Sequence, residues 1–366
     1  MIIENILENL IKFNTVADKE NGKITSWIGD FLSTLGFEVS LIKNNENNKA
    51  NLFATTGKKP ILTFLGHMDT VSAGKNWVND PFVMKIDGDK IYGLGSSDMK
   101  GGIASLLLAL SQINFKNCKN GFNILLTYDE EMNFNGIKDF IKTKKISTKY
   151  IIVGEPTGLK PVIASKGIIS FAVNFFGKEY HGSDPEKGLN AIILASDFIK
   201  EIQRYFVSVK NDKNDIFTPN YATVNVGKIK GGDAVNKVPA ECVLEIECRT
   251  VTKKQNNEII KDFLKISKKY KAKAKVMFSV PPAQCDDKKF ISDMEKITEN
   301  KSEGVNYVTD GSFFNSLASK IIILGPGPFN SHQPNEWVSK KSLYKTMQTY
   351  KTIIEQYVTN INNMTN

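Results

Sequence analysis

The chain has 366 residues, 41% of them apolar and 24% charged, which fits two folded domains, or one domain with an insertion, and excludes disorder as the main state. No apolar run approaches the roughly 18 residues of a membrane span, and no basic-then-apolar leader opens the chain. The net charge is +9, but of the 48 basic residues only Arg204 and Arg249 are arginines, and the lysines are scattered, so a nucleic-acid partner is not expected.

Apolar residues recur at helical spacing over 1–14 and again over 22–35, where Gly36 marks the stop. Residues 37–42 and 51–55 read as strands. The apolar run 61–65 reads as a buried strand that ends in Gly66-His67-Met68-Asp69. Residues 99–113 predict a helix with Ile103, Leu106, Leu107 and Leu110 on one face. Two more buried strands, 122–126 and 150–153, run into Asp129-Glu130-Glu131 and Gly154-Glu155-Pro156. A fourth, 321–324, leads through Gly325-Pro-Gly-Pro to His332. Apolar strands alternating with helices predict an α/β/α sheet covered on both faces.

The stretch between has another texture. Strand 167–176, helix 189–205, strands 221–229 and 243–249, helix 256–267 and strand 271–278 give the order β-α-β-β-α-β. This is a split βαβ, α+β unit inserted into the α/β domain. The expected domains are therefore 1–166 with 279–366, and 167–278. Cys118, Cys242, Cys248 and Cys285 show no C-x-x-C spacing and read as reduced thiols of a cytoplasmic protein.

The residues that end the core strands carry the chemistry. In an open α/β sheet, ligands bind at the carboxyl ends of the strands. His67, Asp69, Glu130, Glu131, Glu155 and His332 would converge there, with Asp98 at the start of the helix that follows. Singly these are weak signs: adjacent acids commonly make a solvated turn, and Asp98 could be only a helix cap. Together, two imidazoles and three carboxylates suit Zn²⁺, or Co²⁺ or Mn²⁺, and one surplus carboxylate suggests two ions sharing it and activating a water for hydrolysis. Of the adjacent pair Glu130 and Glu131, one can bind metal while the other takes the proton of water. Asp69 is placed to accept the ring N–H of His67 and fix its tautomer.

Gly66-His-Met-Asp-Thr-Val71, Gly95-Ser-Ser-Asp-Met-Lys-Gly-Gly102, Asp129-Glu-Glu131 and Gly154-Glu-Pro-Thr157 resemble, in order and spacing, the dinuclear-zinc metallopeptidase/amidohydrolase family. Its members include deacetylases, desuccinylases and peptidases. The resemblance covers residues 5 to 355. Gly325-Pro-Gly-Pro-Phe-Asn-Ser-His-Gln-Pro-Asn-Glu336, Gly154-Glu-Pro-Thr-Gly-Leu-Lys-Pro161 and Gly231-Gly-Asp-Ala-Val-Asn236 look most like its acetylornithine deacetylase branch.

The resemblance implies that Asp98 bridges two metals, with His67 and Glu155 on one and Glu131 and His332 on the other. It implies Glu130 as the general base and a cis Asp98–Met99 peptide. The inserted domain would be a lid that also forms a homodimer, and His181 would reach the partner's active site to support the oxyanion. Arg249 would hold the substrate's α-carboxylate, with Asn236 and Thr309 near it. From spacing alone, His181 is a surface histidine, and Arg249 could simply pair with Glu247.

The expected activity is removal of an N-acyl group from a small-molecule amino acid. N²-acetyl-L-ornithine, an arginine-biosynthesis intermediate, is the first choice. Succinyl-diaminopimelate, other acyl amino acids and dipeptides are the alternatives, and a non-catalytic amino-acid binder is the rival of another class.

Overall fold

The computed structural model describes residues 2–44, 48–116, 118–314 and 320–359. Contacts divide the chain into two units, residues 1–163 with 284–303 and 309–366, and residues 164–283 with 304–308.

The first unit is built on a mixed sheet. Six neighbouring strands of this nine-stranded sheet lie in the spatial order Glu38–Asn44, Lys49–Thr56, Gly121–Thr127, Pro60–His67, Tyr150–Val153 and Ile321–Ile323. The first two pairings are antiparallel; the remaining ones, from Gly121–Thr127 to Ile321–Ile323, are parallel. These four parallel strands are the four apolar runs of the sequence. Their side chains are buried on both faces, as a parallel sheet under helices requires. Because they are parallel, their carboxyl ends emerge along one edge.

Helix Lys100–Leu110 departs from its expected amphipathic form. Every residue in it is buried, Lys100 included. It lies against the helices Ile3–Lys12 and Lys340–Ile354 on one side and the sheet on the other, so no face is left for solvent. Three helices of this unit went unread in the sequence: Asn135–Thr143, Lys288–Thr298 and Lys340–Ile354. The last two start at side-chain caps, where Asp287 accepts the N–H of Phe290 and Ser339 that of Ser342. Each such cap contributes about 1 kcal/mol.

The second unit follows the expected order of strands and helices. Its four-stranded sheet is antiparallel throughout, in the order Thr223–Gly231, Glu241–Thr250, Gly167–Phe176 and Ala272–Val280. Inward residues alternate along Glu241–Thr250, and helices Ala191–Val209 and Lys253–Lys269 cover that side. The seal is aromatic: Phe171 stacks on Phe263 with centroids 4.3 Å apart, and Phe198 meets both Phe175 and Phe263 edge-on. A short ladder absent from the sequence reading pairs Tyr180–His181 with Lys237–Val238. Among the described residues, no helix is long and apolar enough to cross a membrane.

Candidate metal centre

The parallel register sets the site. His67 is the last residue of its strand and pairs with Thr127, the last residue of the next. Three and four residues beyond Thr127 come Glu130 and Glu131, and two beyond Val153 comes Glu155. His67 Nε2 lies 3.2 Å from Asp98 Oδ1 and 3.5 Å from Glu155 Oε1. His332 Nε2 lies 3.7 Å from Asp98 Oδ2 and 3.0 Å from Glu131 Oε2. The carboxylate of Asp98 thus turns one oxygen to each imidazole. His67, Asp98 and Glu131 each offer a donor atom, all within 4.8 Å of one another, and could hold a metal ion. His67, Asp98 and Glu155 are buried, whereas the His332 side chain is about half exposed (54%), so the group opens to solvent on the His332 side.

Close backbone packing brings Asp98 and Glu155 together. A Cβ on Gly102 would lie 2.3 Å from the carbonyl oxygen of Gly154, and one on Gly154 would lie 2.3 Å from the Phe64 ring. Only glycine lets the start of helix Lys100–Leu110 approach the end of strand Tyr150–Val153 so closely. The Asp98–Met99 peptide is cis. The loop before it is held by Glu336, which is 2% exposed. Its carboxylate accepts the backbone N–H groups of Gly95 at 2.8 Å, Ser97 at 2.7 Å and Asp98 at 3.0 Å.

Asp69 does more than its neighbour His67 suggested. The ring Nδ1 of His67 points at the main-chain carbonyl of Asp69, 3.0 Å away, with the carboxylate at 3.6 Å. That carboxylate accepts the backbone N–H groups of Glu130 and Glu131, at 3.2 and 3.1 Å. Asp69 therefore orders both sides of the site. The turn that presents the two glutamates is tight: Asp129 is left-handed, accepts Phe134 N–H at 2.7 Å and pairs with the buried Lys49.

Charge is crowded here. Burial opposes a charge on His67, but Glu155 and Asp98 beside it hold its proton well above the usual pH. A hydrogen bond to Glu131 raises His332 to about 9. Burial, with Asp98 nearby, raises Glu155 to about 8. Burial lifts Glu130 well above the ordinary carboxylate range, and Glu155, Asp310 and Glu131 add to it. Carboxylates and imidazoles crowded in this way are what a bound cation would relieve.

Of the remaining candidates, Thr309 belongs to the first unit; it is buried, and its carbonyl accepts Ser312 N–H. His181, Asn236 and Arg249 belong to the second. His181 is exposed; its Nδ1 lies 2.6 Å from the hydroxyl of Ser183 and accepts that residue's backbone N–H at 3.2 Å, an arrangement that fits a ring proton on Nε2. The main-chain carbonyl of Asn236 accepts Gly182 N–H at 2.7 Å, so the structure brings His181 and Asn236 together. Arg249 Nε donates to Glu247 Oε1 at 2.7 Å, the ion pair that spacing alone allowed.

Sequence reasoning passed over Glu336, Asp310 and Lys100. All three are charged residue types, each at most 2% exposed. Glu336 stood inside a quoted motif, four residues after His332, and that proximity was its only signal.

The sequence model of peptidase family M20/M25/M40 matches residues 63–356. An acetylornithine deacetylase of Salmonella typhimurium is 34% identical over 353 residues, covering 93% of this chain and 92% of that protein. Among solved structures, a tripeptidase from Staphylococcus aureus superposes with a TM-score of 0.78 at 22% identity, over 97% of this chain and 98% of that one. A dinuclear metal binding peptidase from Bacillus subtilis superposes with a TM-score of 0.71 at 14% identity, over 97% and 98%. At these identities the structural likenesses speak for the fold.

Proposed function

The chain belongs to peptidase family M20/M25/M40 and is a hydrolase of amide bonds, and on that premise we propose that it removes an acyl group from the α-nitrogen of an amino acid. The first-choice substrate is N²-acetyl-L-ornithine, giving ornithine and acetate in the cytoplasm for arginine biosynthesis. The similarity to an acetylornithine deacetylase along nearly the whole chain supports that choice.

The observation that carries the metal-dependent reading is the position of Asp98, with one oxygen facing His67 and the other facing His332. His67, Asp98 and Glu155 would hold one divalent ion, and Glu131, Asp98 and His332 a second. The donor set suits Zn²⁺ first, with Co²⁺ or Mn²⁺ as alternatives. Such ions supply Lewis acidity and a more acidic water.

The remaining chemistry falls to side chains of the protein. Glu130 would take a proton from the attacking water and pass it to the leaving nitrogen. His181, with its proton on Nε2, would donate to the developing oxyanion. Arg249 would exchange its bond to Glu247 for the substrate's α-carboxylate, with Asn236 and Thr309 as further contacts. The second unit would also join two copies into a homodimer, the one in which His181 serves the partner's site.

Amine release from a panel of N-acyl amino acids and dipeptides, with Zn²⁺ or Co²⁺ supplied and Glu130→Ala as control, tests this reading. Clear preference for acetylornithine with a dead control is the expected result. Preference for succinyl-diaminopimelate or a dipeptide overturns the substrate. No turnover of any of them by the metal-supplied protein overturns the deacylase reading.

A further inference from the structure

Asp310 is a carboxyl that the chemistry above does not use. It is 1% exposed. Its Oδ2 meets the hydroxyl of Thr127, and its Oδ1 has no hydrogen-bond partner among the described residues. The same Thr127 hydroxyl lies 3.1 Å from the carbonyl oxygen of Gly66.

A threonine hydroxyl carries one proton. Two oxygens face it here, and a main-chain carbonyl cannot donate. With Asp310 ionised, one of the two contacts would set oxygen against oxygen with no proton between them. Its other oxygen would be a charged acceptor, buried and unsatisfied, which is among the costlier states an interior can hold. One proton on Oδ2 removes the first conflict and takes the charge out of the second. Asp310 then donates to Thr127, Thr127 donates to Gly66, and Oδ1 remains as a neutral carbonyl oxygen.

We propose that Asp310 is a neutral carboxylic acid below neutral pH, and that it acts as a positioning residue for the hydrolytic site. Gly66 directly precedes His67, and Thr127 ends the strand that leads into Glu130 and Glu131. The proton of Asp310 sets the direction of the hydrogen-bond chain across these two strand ends and so fixes their separation. Burial moves the carboxyl the same way, up to about 7; Asp69 adds to the push, and the Thr127 contact, His67 and Lys138 oppose it. Glu130, whose own proton is held more tightly in part by Asp310, is a further titratable neighbour.

The test compares Asp310→Asn with Asp310→Ala. An asparagine amide donates to Thr127 as the acid does, and alanine does not. Infrared difference spectra between wild type and Asp310→Asn, taken below neutral pH, are expected to show a carboxylic-acid C=O band that the variant lacks. Turnover should stay within about threefold of wild type in Asp310→Asn and fall on the order of ten- to a hundredfold in Asp310→Ala. Absence of the acid band, or an asparagine variant as impaired as the alanine one, overturns the proposal. If Asp310→Ala fails to fold, the band and the asparagine variant still decide. The turnover comparison rests on the deacylase reading and the infrared band does not, so the band without turnover in wild type would overturn that reading alone.

Discussion

Glu336 accepts the backbone N–H of Asp98 at 3.0 Å, so the carboxylate that faces both imidazoles is itself held by a second, buried carboxylate. The same group takes the N–H groups of Gly95 and Ser97. Glu336→Ala would leave three amides without their acceptor and loosen the loop. Metal affinity should fall about 10- to 100-fold, as when partners that orient ligands are lost. Chelator competition measures it, and wild-type affinity in the variant would show that the loop holds itself.

Glu130 and Glu131 are adjacent, yet the geometry divides them. Glu131 pairs with His332, while Glu130 lies among His67, Glu155 and Asp310. Glu131→Gln should therefore lose bound metal. Glu130→Gln should keep its metal and lose turnover by about 10²- to 10⁴-fold, the usual scale for a general base. Metal analysis beside kcat separates the two, and equal metal loss in both variants would refute the division.

His181 belongs to the second unit, and its Nδ1 accepts the backbone N–H of Ser183, an arrangement that fits a ring proton on Nε2. His181→Ala should lower kcat by about 10²- to 10³-fold with little change in metal content. Mixing His181→Ala protein with Glu130→Ala protein should restore part of the activity if the histidine acts across a dimer. No restoration in mixed dimers would place its action within one chain.

Gly102→Ala sets a methyl group against the backbone oxygen of Gly154, where no flexible side chain can yield. The helix must shift away from the strand, at a cost of about 1–3 kcal/mol. A lower Tm together with weaker metal binding is expected, since the shift separates Asp98 from Glu155. An unchanged Tm would mean that the helix has room to move.

The four cysteines are unequal. Cys242, Cys248 and Cys285 are buried, and burial pushes the Cys285 thiol up to about 11. A buried, protonated thiol is a poor nucleophile. A thiol reagent at mildly alkaline pH should label Cys118 first and the others only on unfolding, as peptide mapping by mass spectrometry would show. Early labelling of Cys285 would contradict this.

The edge where the candidate ligands gather was legible because each core strand is an apolar run that stops at a polar group: Leu65 before Gly66-His67, Leu126 before Thr127 and the glutamates, Val153 before Gly154-Glu155. Burial on both faces makes such runs unbroken, and the break marks the edge. Helix Asn135–Thr143 was missed because it is short and buries only Gly136, Ile137 and Phe140. Helix Lys340–Ile354 was missed although Leu343, Met347, Tyr350 and Ile354 recur at helical spacing and Ser339 caps it. Asp310 was illegible, and Glu336 legible only by its nearness to His332, for a different reason. Their carboxyls act through hydrogen bonds with Thr127 and with backbone N–H groups, contacts made across long stretches of sequence that leave no spacing to read.

The donors of the metal centre also fall in an order of synthesis. His67, Asp98, Glu131 and Glu155 all precede the second unit in the chain. His332 and Glu336 follow only after it, on the segment beyond strand Ile321–Ile323, which must insert beside Tyr150–Val153. A nascent chain thus passes through a stage with a carboxylate-rich half-site whose Asp98 loop is ungripped and whose second imidazole is missing. On the proposed ligand set, the full complement of donors exists only once strand Ile321–Ile323 has taken its place beside Tyr150–Val153.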